Sequence, residues 1–124
     1  MSRKHIRKET YPVEFILKLM KTSNDPSVIL DRDNVRITGV RLRSFLKHGT
    51  DCCVCGVKGA FFAKEKNFRD VRYHLNLYAI DDNGKEVLMT RDHIIPRCRG
   101  GSEGINNMQT MCINCNNKKG SKIC

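Results

Sequence analysis

Residues 52–56 read Cys-Cys-Val-Cys-Gly, and residues 112–116 read Cys-Ile-Asn-Cys-Asn. Each stretch carries a Cys-x-x-Cys pair, Cys52 with Cys55 and Cys112 with Cys115. A two-residue spacer lets two thiolates converge on one ion at about 2.3 Å, and two such knuckles complete a closed tetrahedron around a structural Zn2+. Cys52 rather than Cys53 is the expected ligand, because Cys53 would leave a single residue before Cys55. Gly56 supplies the tight turn that the first knuckle requires. The gap from Cys55 to Cys112 is long for a free-standing zinc ribbon. The ion would therefore staple two distant segments with folded structure between them.

The remaining composition bounds the partner. The chain has 124 residues, with 23 Lys+Arg against 13 Asp+Glu, a formal charge of +10. This length suits one domain. No purely apolar run exceeds four residues, so no membrane span is expected. Glu14 and Lys18 interrupt the one stretch resembling a signal-peptide core, so a cytoplasmic rather than secreted protein is expected. An odd total of seven cysteines in that setting argues against a disulfide framework, and Cys98 and Cys124 read as ordinary thiols. The basic excess favours a polyanionic partner, nucleic acid before anionic membrane.

Along the chain, residues 1–11 read as a flexible basic arm. Val13, Ile16, Leu17 and Met20 follow helical spacing after Pro12. Two short β-like pieces flank Asp31-Arg32-Asp33-Asn34, and a short helix from Val40 ends at Gly49. Between Arg36 and Lys47 there are four basic and no acidic residues, a DNA-facing stripe or equally a solvated helix face. Ala60–Ala63 and Tyr73–Ile80 read as strands, with His74, Asn76 and Tyr78 on one face, an ordinary strand face before one that approaches the active site or DNA. Asp81-Asp82-Asn83-Gly84 turns the chain into a return strand. Met108 to Lys119 has helix-like spacing at Met108, Met111 and Cys115.

The chemistry lies in one segment. Thr90-Arg91-Asp92-His93-Ile94-Ile95-Pro96 runs through Gly100-Gly101 to Asn107-Met108-Gln109, then to Cys112-x-x-Cys115-Asn116-x-x-Lys119-Gly120. In order and spacing these pieces resemble the zinc-bearing HNH endonucleases. Their pattern is Cys-x-x-Cys, Asp-His-Ile-x-Pro…Gly-Gly, Asn-Leu-Gln and Cys-x-x-Cys-[Asn/His]-x-x-Lys-Gly. Residues 52–56 and 90–120 carry the likeness; residues 1–50 lie outside it.

The resemblance implies an α+β single domain, a ββα-metal core stapled by the four-cysteine zinc site, with an N-terminal helical and β extension. Residues 1–50 would be the basic extension and 51–124 the nuclease domain with its knuckles. The implied activity is metal-dependent hydrolysis of DNA phosphodiester bonds, by nicking or double-strand cleavage, leaving 5′ phosphate and 3′ hydroxyl ends. His93 is implied as the general base, Asn107 as the group that positions it, and Asp92 and Asn116 as ligands of one catalytic Mg2+ or Mn2+. These oxygen ligands are hard and suit such an ion. Arg97, Arg99, Lys118 and Lys119 flank the site as phosphate binders.

The expected partner is DNA, with RNA compatible, and the expected state is a monomer or homodimer. The likeness suits a small phage, mobile-element or bacterial nuclease acting in bacterial or phage-infected cytoplasm. A non-catalytic zinc-stapled nucleic-acid-binding module is the competing reading. Asp92, His93 and Asn116 speak against it, since a binder has no need of hard-metal ligands beside an imidazole. A redox role for the Cys-x-x-Cys pairs fits less well than zinc.

Overall fold

The alternation of Leu75, Leu77 and Ala79 with polar neighbours sets the centre of the fold. The computed structural model describes residues 5–120. There this stretch is strand β5 (His74–Ile80), its three apolar residues buried. Strand β4 (Gly59–Asn67) lies antiparallel to it, with Phe62 opposite Leu77. The Asp81 side chain accepts backbone N–H groups from Asn83 and Lys85, both at 2.9 Å, and closes the expected turn. Strand β6 (Glu86–His93) returns along β5, and β7 (Met108–Cys112) pairs with its far half. With β1 (His5–Pro12) on β4, the five-stranded sheet runs β1-β4-β5-β6-β7. Strands β2 (Ser27–Leu30) and β3 (Asp33–Arg36) form a separate hairpin.

Three helices cover this frame. Helix α1 (Val13–Thr22) packs on β4 through Ile16, and α2 (Val40–His48) packs on β6 and β7. Gly49 ends α2 with its N–H on the Phe45 carbonyl, as the sequence predicts. Helix α3 (Ile113–Gly120) follows β7 directly and lies against β6 and β7. Phe45, Phe62, Leu75, Leu77, Met89 and Met111 fill one contiguous core. The result is the expected α+β fold: an antiparallel sheet with helices and a clustered set of four cysteines. Among the described residues, no helix is long and apolar enough to cross a membrane.

The structure corrects three readings. Residues 5–12 are not a loose arm but the edge strand β1. Their charges are neutralised within the fold. Arg7 reaches Glu65 at 2.7 Å and Glu86 at 2.8 Å, and its guanidinium lies 4.8 Å from the Tyr78 ring centre. Lys8 pairs with Asp33 at 3.3 Å.

The stretch from Met108 is not one helix but strand β7 followed by α3. Met108, Thr110, Met111 and Cys112 are all buried because α2 and α3 cover opposite faces of this strand, which erases the period-two pattern. Cys98, read as an ordinary thiol, is disulfide-bonded. Cys124 lies outside the described residues.

Candidate active site and metal centre

The first knuckle forms because Cys52 N–H bonds the Val57 carbonyl at 2.9 Å and Gly56 N–H returns to the Cys52 carbonyl at 3.0 Å. Gly56 takes φ of +80°, which an L side chain resists. Cys53 N–H bonds the Thr110 carbonyl at 2.9 Å and so ties the knuckle to β7, just before the second pair. The Sγ atoms of Cys52, Cys55, Cys112 and Cys115 then lie within 4.8 Å of one another. Cys55 and Cys112 are 3.9 Å apart. Thiolates at tetrahedral corners around zinc would be spaced by about 3.8 Å, so the cluster matches such a site.

Backbone N–H groups of Val54 and Cys115 point at the sulfurs of Cys52 and Cys112, both at 3.4 Å. Burial pushes the Cys52 thiol up, but backbone hydrogen bonds from Cys112, Cys55 and Val54 outweigh it and bring it down to about 6. Burial and then its three cysteine neighbours push Cys115 up to about 12. One thiolate therefore forms readily, and crowding opposes further ionisation until a cation joins. This donor set could hold a metal such as zinc.

Strand β6 ends at Asp92 and His93, which face Gln109 and Met108 across the ladder. Adjacent strand residues point to opposite faces, and these two do so. Asp92 shares the α3 face with Thr90. Its Oδ2 accepts from Gln109 Nε2 at 3.0 Å and from the Lys119 ammonium. Lys119 also donates to the His93 carbonyl at 2.8 Å. Asn116 donates from Nδ2 to Thr90 Oγ1 at 2.9 Å, and Thr90 donates on to the Met111 carbonyl at 2.7 Å. α3 thus brings Asn116 and Lys119 down on the strand that carries Asp92. Asp92 Oδ1 and Asn116 Oδ1 have no hydrogen bond among the described residues. Asp92 Oδ1 and the Asn116 carboxamide oxygen on the facing helix are hard donors of the kind Mg2+ or Mn2+ takes.

The His93 ring lies on the other face, 17 % exposed, with Nε2 3.0 Å from Glu103 Oε2. The same oxygen accepts from Arg97 Nε at 2.7 Å, and Arg91 Nη1 stands 3.9 Å from Glu103 Oε1. The hydrogen bond from His93, together with the charges of Arg97, His93 and Arg91, holds the Glu103 carboxyl below the usual carboxylate range. It is therefore ionised at neutral pH and accepts only.

Asn107 makes no hydrogen bond to the ring among the described residues. Its Oδ1 accepts Ile95 N–H at 2.9 Å, and its Nδ2 donates to the carbonyls of Ile95 at 3.0 Å and Ser102 at 2.8 Å. Its backbone carbonyl accepts Ile94 N–H at 2.8 Å. Asn107 therefore clamps both ends of the loop that presents Glu103. Gly101 allows that loop to close: a Cβ there would fall 1.6 Å from the Ile95 carbonyl oxygen.

Among the basic residues, Arg99 and Lys118 are exposed and without an acidic partner among the described residues, whereas Arg97 leans on Glu103 and Lys119 on Asp92. Glu103 has no place in the sequence pattern. Its one signal is isolation: it is the only acidic residue after Asp92, amid Arg97, Arg99, Lys118 and Lys119.

Residues 81–124 match the family described as HNH endonuclease. No curated protein and no solved structure matches the chain.

Proposed function

With residues 81–124 assigned to the HNH endonuclease family, we propose that this protein is a metal-dependent endonuclease hydrolysing DNA phosphodiester bonds, with His93 as general base. The hydrogen bond between His93 Nε2 and Glu103 carries the reading. An ionised carboxylate cannot donate, so Nε2 holds the proton and Nδ1 keeps a lone pair. A neutral imidazole fixed in that tautomer can take a proton from water at Nδ1. The proton it accepts makes an imidazolium, and Glu103 stabilises the new charge at 3.0 Å.

Asp92 and Asn116 would hold the catalytic cation. When bound, Mg2+ or Mn2+ supplies Lewis-acid stabilisation of charge on the phosphate and the leaving 3′ oxygen. Thr90 orients the Asn116 carboxamide by taking its N–H. Gln109 fixes the Asp92 carboxylate, and Lys119 offsets its charge. Arg99 and Lys118 supply exposed positive charge for the phosphate backbone beside the cut. Cys52, Cys55, Cys112 and Cys115 would hold Zn2+, which would tie the start of α3 to the knuckle after α2 and keep the helix bearing Asn116 seated on β6. One such site cuts one strand at a time.

The test is cleavage of supercoiled plasmid by the full chain with Mg2+, with Mn2+, or with EDTA. Relaxed circles should appear with either ion and not with EDTA. Cutting that persists unchanged in EDTA contradicts the assignment of Asp92 and Asn116.

A further inference from the structure

On the His93 face of β6, beyond Arg91, lies a cleft of about 400 Å³ between the start of α2 and the start of β5. Arg36, Arg41, His74 and Arg91 line it, and no acidic residue does. Two of these basic residues have an acidic partner outside the lining. Asp70 is 4.0 Å from His74, and Glu103 is 3.9 Å from Arg91.

Arg41 donates from Nη2 to the Leu75 carbonyl at 2.7 Å, which fixes the guanidinium in place. Its Nε is buried and has no hydrogen-bond partner among the described residues. Burial, and then Arg91 beside it, push the Arg41 guanidinium below the usual arginine value. Gly39 and Val40, at the N-terminus of α2, also line the cleft. That helix end has neither a side-chain cap nor an acidic residue in its first turn. Positive charge is thus concentrated here, with a buried N–H donor unmet and no acidic residue among the described residues of the lining. A fold that maintains such a site leaves it complementary to an external anion.

We propose that this cleft seats a backbone phosphate of the DNA strand, flanking the phosphate that is cut at His93. Arg91 joins the two places, since it lines the cleft and faces the carboxylate that holds the His93 ring. Guanidinium groups suit phosphate oxygens because their planar fork donates two parallel N–H bonds. The identity of the anion rests on the endonuclease reading; the site's preference for an anion does not.

The test is binding of a duplex oligonucleotide by the full chain in EDTA, followed by fluorescence anisotropy across a salt series. Arg41→Gln and Arg36→Gln should each weaken binding and reduce the slope of log K against log salt by about one. The Arg36 side chain is exposed and, among the described residues, donates to Thr38 Oγ1 alone, so its variant folds even where Arg41→Gln does not. In wild type, inorganic phosphate should shift the His74 ring resonances, and less so in Arg36→Gln. Unchanged slopes in both variants overturn the proposal. So does a His74 shift with phosphate while the DNA slopes stay unchanged, which assigns the cleft to a free phosphate. Reduced slopes in a protein that never cuts DNA uphold the cleft and remove the endonuclease reading instead. Cutting by wild type with unchanged slopes does the reverse.

Discussion

His93 meets a carboxylate at Nε2, and that carboxylate belongs to a loop clamped at both ends by Asn107. The family likeness points to Asn107 as the group that positions the base; its hydrogen bonds act on the ring through Glu103. Glu103→Ala should therefore leave the fold intact and lower the cleavage rate on the order of 10–100-fold, the range for losing a partner that fixes a histidine tautomer. Nitrogen NMR of the ring checks the cause: the Nε2-protonated tautomer alone in wild type, a mixture in the variant. A pure tautomer in Glu103→Ala would refute the role.

Asp92, His93 and Asn116 are singled out in the sequence by their neighbours in the motif, and the structure puts Asp92 and Asn116 on one face of β6 and His93 on the other. Glu103 is not legible in the sequence, because its partners Arg91, His93 and Arg97 gather only once the loop closes over Gly101.

At the scale of elements, β1 depends on one buried carboxylate. Glu65 is 2 % exposed and receives Arg7, Asn76 and Tyr78. Burial raises its carboxyl, but the hydrogen bonds from Tyr78, Asn76 and Arg7 prevail and hold it below the usual carboxylate range. A depressed folded value means that Glu65 stabilises the fold fully above its unfolded range, and that this is lost as pH falls through the lower folded value. Urea midpoints measured from neutral to acid pH should fall below about pH 4.5, and fall less in Glu65→Gln. An identical decline in both proteins would contradict this.

Arg7→Ala leaves the same carboxylate short of a partner and should cost about 1–3 kcal/mol. A change within error in urea unfolding would show that β1 does not need the pair. Helices α1 and α2 and the Asp81–Gly84 turn are legible because periodicity and turn chemistry are local. Strand β1 is hidden because its basic residues read as solvated until Glu65, Glu86 and Asp33 come near. Strand β7 is hidden because burial on both faces removes its alternation.

Across the whole molecule, two segments far apart in the chain meet at four sulfurs. Purified protein should contain one zinc per chain. Cys55→Ser should lose it and lower the melting temperature, while Cys53→Ser, whose Sγ is outside the cluster, should keep it. Equal zinc content in Cys55→Ser and wild type would break the assignment. Spacing alone reveals this site, since each knuckle is local and only their meeting is not.

The central claim is that His93 takes the proton from water. It is tested most directly by incubating supercoiled plasmid and Mg2+ with wild type or with His93→Ala, and measuring DNA binding in parallel. The account predicts that the variant binds DNA as wild type does and cuts at least about 100-fold more slowly, the scale of a lost general base. Equal cutting by the two proteins would contradict it.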